Sequence, residues 1–375
     1  MSDNALSAAN IERNLPRYRV GAEVGRGGMS IVYLAEDLGP LRRKRVALKV
    51  LEPLLANDGR FRQRFEAEAQ LVANLVHPHV IPIYDFGEAG GLLYLAMHYV
   101  EGSDLWQVLG RHGPLQPAQA ARVFTQVAGA LDAAHRQGLI HRDVKPGNVL
   151  IERPGGSDEH AYLSDFGITK NIASGESLTA TGQFVGTVDY IAPEQIDGHL
   201  PLDRRADVYS LGAMVFECLS GEVPYPRDTD MQKLFAHLQD EPPSLRHVRP
   251  DLGPAVDGVV HRAMAKDRDD RYATCGELAA DLEEALSSVS RRGSGSVAPA
   301  PPPPSGSVAP APPPPSGSVA PAPPPPSAGA PRRGGRGVVA VGLVVAAAVA
   351  VVLAWAALSG NGGSPSPRDV VVDGT

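Results

Sequence analysis

Cysteine is nearly absent from this chain, an excess of positive charge is missing from most of it, and no apolar stretch opens it. Two cysteines, Cys218 and Cys275, occur in 375 residues. They stand in helix-like contexts without metal-ligand spacing, so a disulfide framework is excluded and a reducing, cytosolic setting is expected for the part that carries them. The net charge is −7, and its distribution is uneven. Residues 1–290 hold 29 basic against 40 acidic side chains, whereas the remainder holds six Arg against two Asp. An acidic globular part argues against nucleic acid as a partner. Met1 to Asn14 is polar and lacks a hydrophobic core segment, so no signal peptide is expected there.

Five stretches differ in composition. After an extension over 1–17, residues 18–286 have the composition of an ordinary globular domain. Residues 287–337 read as a linker rich in Pro, Ser, Gly and Ala, with three 11-residue copies of SGSVAPAPPPP beginning at Ser294, Ser305 and Ser316. Such a segment has too little apolar surface to bury and favours an extended polyproline spacer. Residues 338–358 are 21 residues without a charge. At about 1.5 Å per residue they would span roughly 31 Å as a helix, one hydrocarbon thickness. Arg332, Arg333 and Arg336 precede this segment and only Arg368 follows. The positive-inside rule then puts the large N-terminal part in the cytoplasm and the 17-residue tail 359–375 outside. A single-pass location in the cell membrane is the expectation. The tail is too short to form a core, so regulation from the cytoplasm or by self-association of the helix, as a homodimer, is expected.

The chemistry concentrates in His141-Arg142-Asp143-Val144-Lys145-Pro146-Gly147-Asn148, followed by Asp165-Phe166-Gly167. Asp143 is a carboxylate able to accept a hydroxyl proton, and Lys145 is a cation suited to a γ-phosphate. Asn148 and Asp165 offer the oxygen ligands that Mg²⁺ prefers. Upstream, Val24-Gly25-Arg26-Gly27-Gly28-Met29-Ser30-Ile31-Val32-Tyr33 reads as strand, glycine turn and strand, a shape that lets backbone N–H groups close over a triphosphate. Val46-Ala47-Leu48-Lys49-Val50 reads as a buried strand with one cation, which is costly unless that cation is paired. Arg60 to Leu75 has helical apolar spacing and carries Glu66 and Glu68. Leu92 to Val100 reads as a further buried strand, and Pro117 to Gln137 as a long amphipathic helix stopped by Gly138.

These motifs, in this order, resemble the protein kinases of the eukaryotic-like, or Hanks, class. The glycine loop and the Pro-rich linker before an apolar segment are similar to the bacterial membrane-anchored Ser/Thr kinases. The resemblance implies an α+β bilobal kinase fold, with a small β-rich N-lobe, a mainly helical C-lobe and ATP between them. It implies transfer of the γ-phosphate to Ser/Thr of protein substrates and to the chain's own activation loop. Mg²⁺ is the implied cofactor metal, with Mn²⁺ as the alternative. In this reading Asp143 and Lys145 are catalytic, Asn148 and Asp165 hold the metal, and Glu68 is the partner of Lys49. Glu66 is left as a solvated surface charge. The implied ATP contacts are Val24, Gly25, Gly27, Gly28, Val32, Ala47, Lys49, Met97, Tyr99, Val100 and Leu150. The loop departs from the usual G-x-G-x-x-G by having Ser30 at the third position and an extra Gly28. Arg142 is suited to grip a phosphate on the loop before Ala192-Pro193-Glu194, where Thr179 and Thr181 are the acceptor candidates. Thr187 looks like the threonine that contacts Asp143 and Lys145. Asp207 should hold the catalytic-loop backbone, and Arg271 should brace Glu194. A catalytically dead membrane scaffold would lack Lys49, Asp143, Asn148 or Asp165, and all four are present.

Overall fold

A computed structural model describes residues 6–39, 43–56, 58–153, 156, 159–166, 187–198 and 201–294. All of them lie in one compact unit within Met1–Pro301. Gly167, Thr179, Thr181, most of the linker, segment 338–358 and the tail lie outside the described residues.

The chain opens with helix α1 (Ala8–Asn14), then strands β1 (Tyr18–Gly27), β2 (Ser30–Asp37) and β3 (Lys44–Leu51). Helix α2 (Gly59–Ala73) and strands β4 (Ile83–Ala89) and β5 (Leu92–His98) complete the first lobe. The strands form an antiparallel sheet in the order β1-β2-β3-β5-β4. Period-2 alternation divides β3 between two faces. Val46, Leu48 and Val50 enter one core, while Ala47, Lys49 and Leu51 face the other side. Asp58 caps α2 by accepting from the Arg60 and Phe61 N–H groups at 2.8 and 3.4 Å. Phe61, Phe65, Ala69 and Val72 are its buried stripe.

The second lobe starts with β6 (Gly102–Asp104), α3 (Leu105–His112) and α4 (Pro117–Arg136). Pro117 fits the first turn of α4, where its missing N–H costs nothing. Gly138, at φ +75°, ends the turn beyond it. Strands β7 (Val149–Glu152) and β8 (His160–Leu163) join β6 in a three-stranded sheet. Helices α5 (Pro193–Asp197), α6 (Arg205–Ser220), α7 (Asp230–Gln239), α8 (Gly253–Ala263) and α9 (Cys275–Ser294) follow. Helix α6 is buried at every position from Ala206 to Ser220, so it is the centre of the lobe rather than one of its sides. A Cβ on Gly212 would stand 2.6 Å from the Ala263 Cβ, which explains a glycine in mid-helix where α6 meets α8.

Both ends of the domain continue into ordered structure beyond residues 18–286. Within the N-terminal extension, Leu6, Ile11 and Leu15 bury themselves against Tyr18, Ile31, Tyr33 and Val46 on the sheet. Tyr33 donates to the Leu6 carbonyl at 2.8 Å, and Glu12 Oε1 accepts the Val20 N–H at 2.7 Å. Apolar residues covering an otherwise open sheet face outweigh the polar average of the segment. At the other end, the linker expected from 287 begins later, since α9 continues to Ser294. Its apolar residues Leu278, Leu282, Ala285 and Leu286 are buried, and Val289 packs against the same core, carrying the helix past the compositional break.

Candidate active site

A cleft of about 660 Å³ opens between the glycine turn, the strand β5 exit and the loop after α4. It is lined by all the residues expected to bind ATP: Val24, Gly25, Gly27, Gly28, Val32, Ala47, Lys49, Met97, Tyr99, Val100 and Leu150. Ala47, Ile81 and Met97 form a small buried core there, with Val32, Tyr99, Val100 and Leu150 packed against it. Such an apolar slot suits a flat heteroaromatic ring. Above it the β1–β2 turn closes at the Gly27–Ser30 pair, and a Cβ on Gly28 would meet nothing within 4 Å. The turn therefore leaves room for a bulky anion below its backbone.

Asp143, Lys145, Asn148 and Asp165 also line this cleft. Lys145 Nζ lies 2.9 Å from Asp143 Oδ2. Asn148 Nδ2 donates to the Asp143 carbonyl at 2.7 Å and to Asp143 Oδ2 at 3.0 Å. This orientation commits the amide nitrogen to Asp143 and leaves the amide oxygen for a hard cation. A divalent metal–triphosphate thus fits the donor set: two oxygen ligands, two lysines and a glycine roof.

Lys49 is not paired as the sequence implied. Its Nζ is 2.7 Å from Asp165 Oδ1, while Glu68 is half-buried on α2 and forms no ion pair with Lys49. The correction has a simple cause. The cation in β3 needs one carboxylate, and Asp165 supplies it. Glu66 is exposed. Asp165 itself has φ +57°, a left-handed conformation that a non-glycine residue adopts only when its surroundings enforce it.

The loop beneath is held from below. Asp207, fully buried in the first turn of α6, accepts the His141 and Arg142 backbone N–H groups at 2.8 Å each and lies 2.7 Å from His135 Nε2. These bonds hold Arg142 at φ +62°, and Gln195 Nε2 donates to its carbonyl at 3.1 Å. Arg142 Nε is buried and has no hydrogen-bond partner among the described residues. Burial pushes the His141 imidazole down from its ordinary value; its ring lies tilted against Phe166, and its Nε2 is 3.0 Å from the Ser164 carbonyl. Arg271 grips Glu194 at 2.7 and 2.9 Å with both partners buried. Thr187 is exposed at the edge of the described residues. Sequence reasoning passed over Ile81, Leu95, Asp104 and Gln107 in the cleft wall, and Gln195 and His135 behind the loop. No motif marks them, because each reaches its place by tertiary packing.

Comparison with known proteins adds an independent line. A family model described as protein kinase domain matches residues 18–281. The chain is 43% identical over 295 residues to serine/threonine-protein kinase PknH of Mycobacterium tuberculosis, covering 76% of this chain and 46% of that protein. It is 44% identical over 275 residues to serine/threonine-protein kinase PknE of the same organism, covering 73% of this chain and 47% of the relative. It therefore spans about half the length of these relatives. Among solved structures, the Mycobacterium tuberculosis PknI kinase domain superposes with a TM-score of 0.58 at 36% identity, covering 72% of this chain and 96% of that one.

Proposed function

Since the chain belongs to the protein kinase domain family, we propose that it transfers the γ-phosphoryl group of ATP to Ser/Thr hydroxyls of proteins, its own activation loop included. The observation that carries this reading is the convergence of Lys49, Asp143, Lys145, Asn148 and Asp165 on one cleft under a glycine turn. When bound, Mg²⁺–ATP supplies the phosphoryl group and the metal charge that offsets it. Asn148 and Asp165 are the residues to hold the metal, and Lys49 to meet the inner phosphates. Asp143 accepts the proton of the incoming hydroxyl, within a loop already fixed by Asp207. Lys145, beside Asp143, places positive charge where the transferred group carries negative charge.

In this reading a phosphate on Thr179 or Thr181 engages Arg142, whose buried Nε supports the assignment. Segment 338–358 anchors the enzyme in the cell membrane, with the kinase domain cytoplasmic and the tail outside, and offers a surface for self-association. Its 21 uncharged residues and the arginines before it support this arrangement. Among the described residues no helix is long and apolar enough to cross a membrane.

The test is phosphate incorporation by the full chain with Mg²⁺ and ATP. Wild type should become phosphorylated on Ser/Thr, and Asp143→Asn should reduce incorporation to background. Equal signals from the two would replace the kinase reading with that of a membrane-anchored scaffold.

A further inference from the structure

Behind the cleft, α4, α6 and α9 meet around one histidine. The His135 side chain, in the last turn of α4, is 4% exposed, and its Nε2 lies against Asp207 Oδ2 at 2.7 Å. Its Nδ1 is buried without a hydrogen-bond partner among the described residues. Asp132 Oδ1, one helical turn earlier, is 3.7 Å from that nitrogen. Cys275, fully buried, begins α9. One ligand atom each of Asp132, His135 and Cys275 falls within 4.8 Å of the other two.

An imidazole–carboxylate hydrogen bond closes to about 2.7–2.9 Å. The 3.7 Å separation is too long for one and is that of an ion pair or of two ligands on one metal. Two ligands on a tetrahedral zinc with bonds of about 2.0–2.1 Å stand roughly 3.4 Å apart. Asp207 accepts the Nε2 proton, the role an outer carboxylate plays behind zinc-binding histidines. Against the effect of burial, Asp132 and Asp207 together raise the imidazole to about 9, so an ion at Nδ1 takes the place of a proton there. Asp132 is oriented in turn, accepting from the Cys275 and Gly276 N–H groups at 3.1 and 2.9 Å while keeping lone pairs to spare. Its side chain is 21% exposed and gives an ion a way in. One thiolate and one carboxylate neutralise a divalent ion, which suits a site inside the lobe.

We propose that Asp132, His135 and Cys275 bind a zinc ion, with solvent as the fourth ligand, fastening the end of α4 to the start of α9. Binding releases the Cys275 thiol proton and the His135 Nδ1 proton to solvent. This site is independent of the phosphoryl-transfer reading.

Cobalt(II) added to the full chain in detergent is the probe, because sulfur ligation gives a near-ultraviolet charge-transfer band that oxygen ligands at Asn148 and Asp165 cannot give. Wild type and Cys218→Ser should show the band, and Asp132→Asn and Cys275→Ser should lose it. Zinc added in stoichiometric amount should abolish it and raise the unfolding midpoint. Should Cys275→Ser fail to fold, wild type and Cys218→Ser still decide, because the chain has no third cysteine. A folded wild type without the band, or a band lost in Cys218→Ser, overturns the proposal.

Discussion

In the floor of the cleft, Asp143 sits on a loop whose backbone hangs from a fully buried carboxylate, Asp207, with the buried Glu194–Arg271 pair alongside. In the roof, Lys49 reaches across the cleft to Asp165, and the glycine turn above it is tied by the exposed Arg26–Glu23 pair. Floor and roof contribute to one site but are held by forces of different size. Charges removed from water must stay paired, so the floor admits one arrangement. The Arg26–Glu23 charges are left in water, where partners exchange cheaply, so the glycine turn can adjust to what it covers. Damage to the floor should lower stability and activity together, whereas loss of that exposed pair should leave stability alone.

The largest effect is expected at Asp207. Asp207→Ala strands the His141 and Arg142 N–H groups and frees a loop that otherwise holds Arg142 at positive φ. Incorporation of phosphate should fall by two orders of magnitude or more, and the denaturation midpoint should drop in the same variant. Activity retained with a lowered midpoint would break the link between floor and catalysis.

Arg271→Ala comes next, because it leaves Glu194 buried without its bidentate partner. Breaking such a pair costs about 3–5 kcal/mol, a large share of the stability of a typical domain, and urea denaturation should show it. A loss below about 1 kcal/mol would indicate that water reaches Glu194 and that the floor is less dry than its burial implies.

Acid should act on the floor through its buried histidines. Burial and the neighbouring Lys266 and Lys233 charges push His237 down to about 3, and burial lowers His141 as well. The unfolded chain then takes up protons first. The stability that these neutral rings confer is complete above about pH 6.5 and is lost as pH falls toward the folded values, by up to about 1.4 kcal/mol per pH unit for each ring. His237→Gln, which can keep a bond to the Tyr209 hydroxyl, should flatten the acid side of a midpoint-against-pH curve. An unchanged slope would show that His237 takes no part.

The smallest effect belongs to the roof. Arg26→Ala removes an exposed pair and should leave the unfolding midpoint where it was. A clear drop would mean that the glycine turn is braced more firmly than its contacts show.

Much of this was legible from residues alone. The glycine turn, the β3 lysine and the catalytic loop were readable because backbone freedom, a lone cation in an apolar strand and closely spaced polar residues leave local signatures. The ends of the domain were less so, since Leu6, Ile11 and Leu15 at one end and α9 beyond Leu286 at the other are ordered by the surface they cover. Among the site residues the same division holds. Asp143 and Asn148 are five positions apart and their mutual hydrogen bonds follow from the loop itself. The partner of Lys49 lies 116 positions away, and no local signature in the sequence joins the two.

The sequence by itself determined the chemistry available to this protein, because side-chain type and short-range spacing fix which groups can donate, accept, ligate or turn a backbone. Only the tertiary structure decided which distant groups meet. Cys275 and Asp132 have no metal-ligand spacing along the chain, yet the packing of α9 on α4 brings them to the same histidine. Pairing across long separations is set by how buried faces fit, and that fit is a property of the whole core rather than of any short stretch of it.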